Sequence, residues 1–342
     1  MKNMLFTLVI AILLTSGCNS STGPASDDSQ DTRDPVLPTV GTLPVMDLGM
    51  HNALGEGRIH RDGGSWVTER GLVWSLNPNP TLADNRNVHG EGTGAFRSVM
   101  EDLLPDQIYY VRAYAINAKG TAYGAERQFR TRLGTVSDID GNVYYTQTIG
   151  EDVWMAENLR VTRFNNGDPI LTGLNGEDWE FTLHGAYSIY PHGSLGDINS
   201  NAEMAEAYGL LYNWFAVNDP RGLCPEGWRV PNNDDWERLI GLAGDQNDDG
   251  KLKSRRTVPD LHPRWESPNA ATDLSGWSGL PGGRRLWDGR YVGFGTHGHW
   301  HSATKRDSYH SFSKILFHGD GAIFRNYNSK LQGSSIRCVR DM

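Results

Sequence analysis

The chain has 342 residues, room for two domains once a targeting segment is removed. Its net charge of -9 at pH 7 argues against a nucleic-acid or anionic-membrane partner, either of which favours a basic patch. Forty Gly and sixteen Pro, with eleven Trp and thirteen Tyr, exclude a helical bundle and point to short strands joined by many turns.

The first stretch, MKNMLFTLVIAILLTSGC, has a basic Lys2, an apolar run from Met4 to Leu14, then small residues and Cys18. The run falls short of the roughly 20 residues a bilayer span needs, so it reads as a secretory segment. Its end resembles a bacterial lipoprotein signal, which implies removal of residues 1–17 and a lipid on Cys18. Thr15 departs from the usual Leu of that signal, and an ordinary signal peptide with a coincidental Cys is the alternative. Asn19, by resemblance to enteric sorting rules, implies the outer membrane and a protein held there by its N-terminal lipid. Residues 18–35 are polar and acidic, and are expected to form a flexible tether.

Strand-like alternation begins near residue 36. In YYVRAYAIN, Tyr110, Arg112 and Tyr114 alternate with Val111, Ala113 and Ala115, so one set faces a core and the other faces solvent. The turn residues 117–120 predict a hairpin of 108–116 with 121–130. Residues 42–66, rich in Gly and His, give no clear strand pattern. The run from Leu104 to Gly120 resembles the fibronectin type III-like modules of secreted bacterial proteins. The resemblance implies an all-β sandwich over 36–132, with Leu104, Tyr110 and Ala113 as scaffold.

The second region, 134–342, opens with DIDGNVYYTQTIG, two strands about an Asp-Gly-Asn turn, followed by the apolar strand VWMAENL. PNNDDWERLIGLAGD predicts a helix: a polar N-cap, acids in the first turn, and Trp236, Leu239, Ile240 and Ala243 on one face. SSIRCVRDM reads as a last strand. Eight ordered blocks, including VWMAENL, YGLLYNWFAV, CPEGWRVPNNDDWERL, LPGGRR, GHWHSAT and SSIRCVRD, resemble the Fibrobacter succinogenes major paralogous domain. That family is thought to share the α+β fold of C-type lectin-like and formylglycine-generating-enzyme-like domains. The resemblance implies chain ends joined in a terminal sheet, one or two helices and a long irregular loop region. His301 stands where the family pattern leads one to expect a second consecutive Trp.

Cys224 has three readings: nucleophile, metal ligand or half of a disulfide. Structural zinc needs four Cys or His at short spacing, and none lie near it. A nucleophile needs a base that only the fold can supply. In an exported chain a disulfide with Cys338 persists, and C-type lectin-like domains use such a staple. The formylglycine-generating relatives use a reactive, copper-holding cysteine pair; here the pair matches the structural positions, which implies the fold without that chemistry.

Three weaker candidates remain. DQNDDG places Asp245, Asn247 and Asp249 as the opening of a calcium loop, but Lys253 and Arg256 occupy later ligand positions, which favours a solvated acidic helix exit. His297, His299, His301 and His310 crowd one segment without an obvious carboxylate partner, so an aromatic strip is favoured over a metal site. The calcium-dependent sugar strings E-P-N, Q-P-D and W-N-D are missing from the sequence, and SPN at 267–269 is a poor echo. Trp287, Trp300 and His301 are candidate ligand contacts, and Trp277 could serve likewise, with burial in the core as the competing reading. The expectation is a non-enzymatic envelope protein that recognises a glycan or a protein. An enzyme of the formylglycine-generating type and a purely structural protein are the alternatives.

Overall fold

The computed structural model describes residues 34–193, 195–243 and 250–341. Residues 35–342 form one compact unit.

Eight strands make the first module: β1 (Thr39–Met46), β2 (Ala53–Arg61), β3 (Glu69–Ser75), β4 (Asn85–Val88), β5 (Gly94–Met100), β6 (Ile108–Asn117), β7 (Gly120–Tyr123) and β8 (Arg127–Arg130). They form a sandwich of a β1-β2-β5 sheet and a β4-β3-β6-β7 sheet, with β8 also on β6. Between the layers lie Leu72, Trp74, Phe96, Met100, Tyr109, Val111, Ala113 and Phe129. This is the sandwich expected from the fibronectin type III resemblance.

Three details differ from the sequence reading. The uninterpreted residues 42–66 carry β1 and β2. The core face of β2 holds Gly55 and Gly57, where a Cβ would stand 2.3 Å from Leu72 Cδ1 and 2.5 Å from Phe96 Cζ, so close packing removed the apolar alternation. The second arm of the hairpin is two strands: the register slips by one residue between Val111↔Arg127 and Tyr114↔Tyr123. At that slip a Cβ on Gly124 would meet Thr42 Oγ1 of β1 at 2.4 Å. Ala113 is buried as read, but the other two scaffold roles move by one position. Leu103 and Tyr109 are buried while Leu104 is exposed and Tyr110 half-buried, because Tyr109 shares the face of Val111 and Ala113. The Tyr109 hydroxyl accepts a hydrogen bond from Leu104 N at 3.0 Å, the tyrosine corner of such sandwiches.

The second module begins with β9 (Gly134–Ser137), β10 (Val143–Ile149) and β11 (Asp152–Met155). A long, sparsely regular stretch follows, holding α1 (Gly176–Phe181), β12 (Tyr187–Ser188), α2 (Asn201–Tyr208), β13 (Leu211–Tyr212) and α3 (Trp214–Val217). Then come β14 (Trp228–Arg229), α4 (Asn233–Ala243), β15 (Gly282–Arg285), β16 (Tyr291–Phe294), β17 (His297–Lys305), β18 (His310–Phe317), β19 (Ile323–Ser329) and β20 (Val339–Arg340). One sheet, ordered β14-β20-β11-β10-β9, joins the start and the end of the region; another runs β16-β15-β17-β18-β19.

The predicted helix is α4. Asn232 Oδ1 accepts from Asp235 N and Asp235 Oδ2 accepts from Asn232 N, a reciprocal cap that ends the preceding loop. Trp236, Leu239 and Ile240 face inward. They meet a chain of tryptophans, with ring centroids 5.2 Å apart for Trp154–Trp236, 5.6 Å for Trp236–Trp277 and 4.8 Å for Trp277–Trp300. The buried Arg337 guanidinium lies 4.1 Å over the Trp277 ring. It donates to Asn158 Oδ1, Trp277 O and Ser278 O, so its charge is spread over acceptors in place of water.

The two modules are tied by arginines. Arg132, in the connection between β8 and β9, donates to Leu48 O in the first module and to Gln147 Oε1, Gly276 O and Ser278 Oγ in the second. Arg97 of β5 pairs with Asp260 at 2.7 Å, and Arg255 donates to Pro44 O.

Candidate functional site

Cys224 and Cys338 are joined as a disulfide, with Cα atoms 5.9 Å apart. Both sulfurs sit in a core cluster with Tyr144, Met155, Phe164 and Tyr212. Met155 N donates to Cys338 O and Asn165 Nδ2 donates to Cys224 O, so neighbouring strands and loops hold both halves. Of the three readings of Cys224, the structure selects the staple.

Two of the three proposed ligand contacts need correction. Trp300 and His301 on β17 are fully buried, the first in the tryptophan chain with its Nε1 donating to Asn158 Oδ1, the second with Nε2 at 2.8 Å from Tyr212 O. Packing on both faces of a central strand leaves neither a surface for a ligand. Trp277 is buried beside them. Trp287 is 50% exposed in the β15–β16 turn. Burial brings His301 down to about 4 and takes His299 well below the ordinary imidazole range, so both are neutral near pH 7. Among the described residues no group of three or more His, Cys, Asp or Glu is arranged to hold a metal ion. Asp245, Asn247, Asp249 and Cys18 lie outside the described residues. Lys253, read from sequence as a misfit in a calcium loop, is buried, and its Nζ donates to the carbonyls of Phe317, His318 and Asp320.

The concave surface lies elsewhere, along the seam of the modules. Two adjoining depressions of about 470 and 360 Å³ share Glu157, Arg256, Pro263 and Leu280. The inner one reaches Asp47, Leu48 and Asn52 of the first module, with Arg132, Tyr145, Arg255 and Asp273. Burial pushes the Asp273 carboxyl up to about 6, against the opposing hydrogen bonds from Ser278 and the charge of Arg132. The outer depression is walled by the loop before α2 and by α2 itself, through Asp197, Glu203 and Glu206, and by His262. Tyr208, buried beneath, links its hydroxyl to His262 Nδ1 at 2.5 Å. Arg160 takes Glu206 at 3.0 Å, and Arg256 stands 4.0 Å from Asp47. The surface is rich in carboxylate oxygens and poor in rings, with Tyr145 and the His262 imidazole as its aromatic members.

A family model described as the Fibrobacter succinogenes major domain matches residues 148–340. The chain belongs to this family. Inside the Fibrobacter succinogenes major domain, the sequence blocks supply the interior: Trp154 and Asn158 from one, Tyr212 from another, then Cys224 and Trp236, Trp300, and finally Arg337 and Cys338 are all buried. The cleft is made mostly by other residues. Asp197, Glu203, Glu206, Arg256 and His262 belong to no block, and no spacing in the sequence marks them as neighbours. Asp197 and His262 are 65 positions apart and meet through the His262 N hydrogen bond to Asp197 Oδ2 at 2.6 Å.

Among solved structures, the sensor domain of the anti-sigma factor RsgI4 of Pseudobacteroides cellulosolvens is 14% identical, over 28% of this chain and 95% of that one, with a TM-score of 0.23. The fourth fibronectin type III domain of a human protein is 17% identical, over 33% and 92%, with a TM-score of 0.23. The chicken CNTN1 FN1–FN3 domains are 18% identical, over 29% and 33%, with a TM-score of 0.23. No curated protein matches the chain.

Proposed function

We propose that this protein is a lipid-anchored recognition protein of the bacterial outer membrane. In this reading the lipid on Cys18 holds it to the membrane, the fibronectin type III-like module spaces it, and an α+β C-type lectin-like second module binds a glycan or an envelope protein without turning it over. The supporting observation is the cleft at the seam of the modules, walled by irregular loops of the second module and floored by buried groups. Recognition sites sit on such loops when a rigid scaffold positions them. The disulfide removes both described cysteines from redox or nucleophilic use, which favours binding over chemistry of the formylglycine-generating type.

The test uses the full chain on a glycan array and against immobilised envelope proteins, beside Ala207→Trp. Ala207 lines the outer depression, and an indole there would fill it. Binding lost on Ala207→Trp, with the ligand recovered unaltered, is the expected result. Binding equal in both proteins, or ligand cleaved or modified, would overturn the reading.

A further inference from the structure

The outer depression contains a matched pair of unused hydrogen-bonding atoms. The His262 side chain is 3% exposed and lines the cleft. Its Nε2 makes no hydrogen bond; the nearest carboxylate oxygen, Asp197 Oδ1, is 3.7 Å away. An imidazole proton on Nε2 faces that carboxylate and leaves Nδ1 to accept from the Tyr208 hydroxyl, whose other acceptor, Arg264 O, is farther away at 3.2 Å. Asp197 Oδ2 is taken by His262 N, so Oδ1 is its spare acceptor. A donor and an acceptor therefore stand side by side at the cleft wall, too far apart to satisfy each other, with the Asp197 side chain 22% exposed and open to a ligand.

One oxygen that both accepts and donates would satisfy both atoms: it takes Nε2–H and gives its own proton to Oδ1. A hydroxyl does this. An ammonium offers no acceptor to Nε2–H, and a carboxylate offers no donor to Oδ1. The wall supplies further acceptors in Glu157 and Glu203, against the single cation Arg256 and the Arg160–Glu206 pair. Such a surface repels uronic or other acidic sugars.

We infer that the outer depression is a calcium-independent subsite for a neutral glycan, in which Asp197 and His262 share one sugar hydroxyl and Glu203 accepts from a neighbouring one. This rests on the recognition reading above and narrows its ligand class.

The experiment titrates the full-length protein, with chelator present, with cellopentaose, xylopentaose and mannopentaose, with tri-galacturonic acid as the acidic probe and tri-lysine as the cationic one. At least one neutral oligosaccharide should bind, and tri-galacturonic acid should not. Asp197→Ala should weaken that binding about tenfold or more, the scale of a hydrogen bond to a charged group. Glu203→Gln, at an exposed position on α2, should weaken it less while leaving the fold intact. No neutral oligosaccharide binding, tri-galacturonic acid or tri-lysine binding as tightly, or unchanged affinity in Asp197→Ala and Glu203→Gln would each overturn the inference. The two readings fail separately. A ligand lost on Ala207→Trp but kept on Asp197→Ala removes the subsite alone, whereas a ligand kept on Ala207→Trp removes the cleft itself.

Discussion

Replacing both Cys224 and Cys338 by Ala tests the covalent closure of the second module. The bridged positions are 114 residues apart. The chain-entropy relation for a loop of that length gives about 5 kcal/mol at 25 °C. A domain's whole stability is on the order of 5–15 kcal/mol, so the loss is decisive for folding at growth temperature. Truncating two buried sulfurs adds a smaller packing cost. The assay is urea unfolding followed by tryptophan fluorescence, which reports this module because nine of the eleven tryptophans lie beyond residue 150. The double variant should lose about 3–5 kcal/mol, and reduced wild type should lose nearly as much. Trypsin cuts after Arg221, Arg229, Arg337 and Arg340, so an unreduced digest should carry 222–229 linked to 338–340. Equal urea midpoints for oxidised wild type and the double variant would refute the reasoning. So would separate elution of those two peptides without reductant.

Arg337→Met removes a fully buried guanidinium and orphans two acceptors, Trp277 O and Ser278 O, while Asn158 Oδ1 keeps the Trp300 indole, so stability should fall by about 2–4 kcal/mol in the same urea assay; a loss below about 1 kcal/mol would count against the network. His301 carries a pH dependence. Its folded value of about 4 lies below the ordinary 6.5, so the unfolded chain takes up a proton first and stability is lost as pH falls from about 6.5 to 4. The shift corresponds to about 3 kcal/mol. Asp273, raised to about 6, acts in the opposite direction below pH 6 in every variant, so the comparison is between slopes. His301→Gln should lose about 3 kcal/mol less than wild type over that interval in urea titrations, and parallel curves would remove His301 as the cause.

The elements legible in the sequence are those whose pattern is local. The α4 cap, the β9–β10 turn and the alternation of β6 each follow from residues within a dozen positions of one another. The β2 strand was opaque because its core positions are glycines, chosen for the bulk of Leu72 and Phe96 in other strands. Trp300 and His301 drew notice as aromatic and unusual, yet an aromatic on a strand packed on both faces is core. The disulfide was legible because compartment and family resemblance agreed. The cleft was not: Asp197, Glu203 and His262 carry no motif, and their neighbourhood exists only after the long irregular stretch folds back along α2. Within the major domain, the memorable residues build the scaffold and the unremarkable ones line its concave surface.

The pairing Gly134↔Thr146↔Met155, beside Trp154↔Val339, sets the domain's point of entry and its point of departure almost level on one sheet, three strand spacings apart. At about 4.8 Å per spacing the gap is roughly 14 Å. A unit with such closely set ends can be grafted into a host loop, or cut from one, while its own interior stays unchanged. Closely set ends of this kind make the fold a portable cassette, movable between hosts without rebuilding its core.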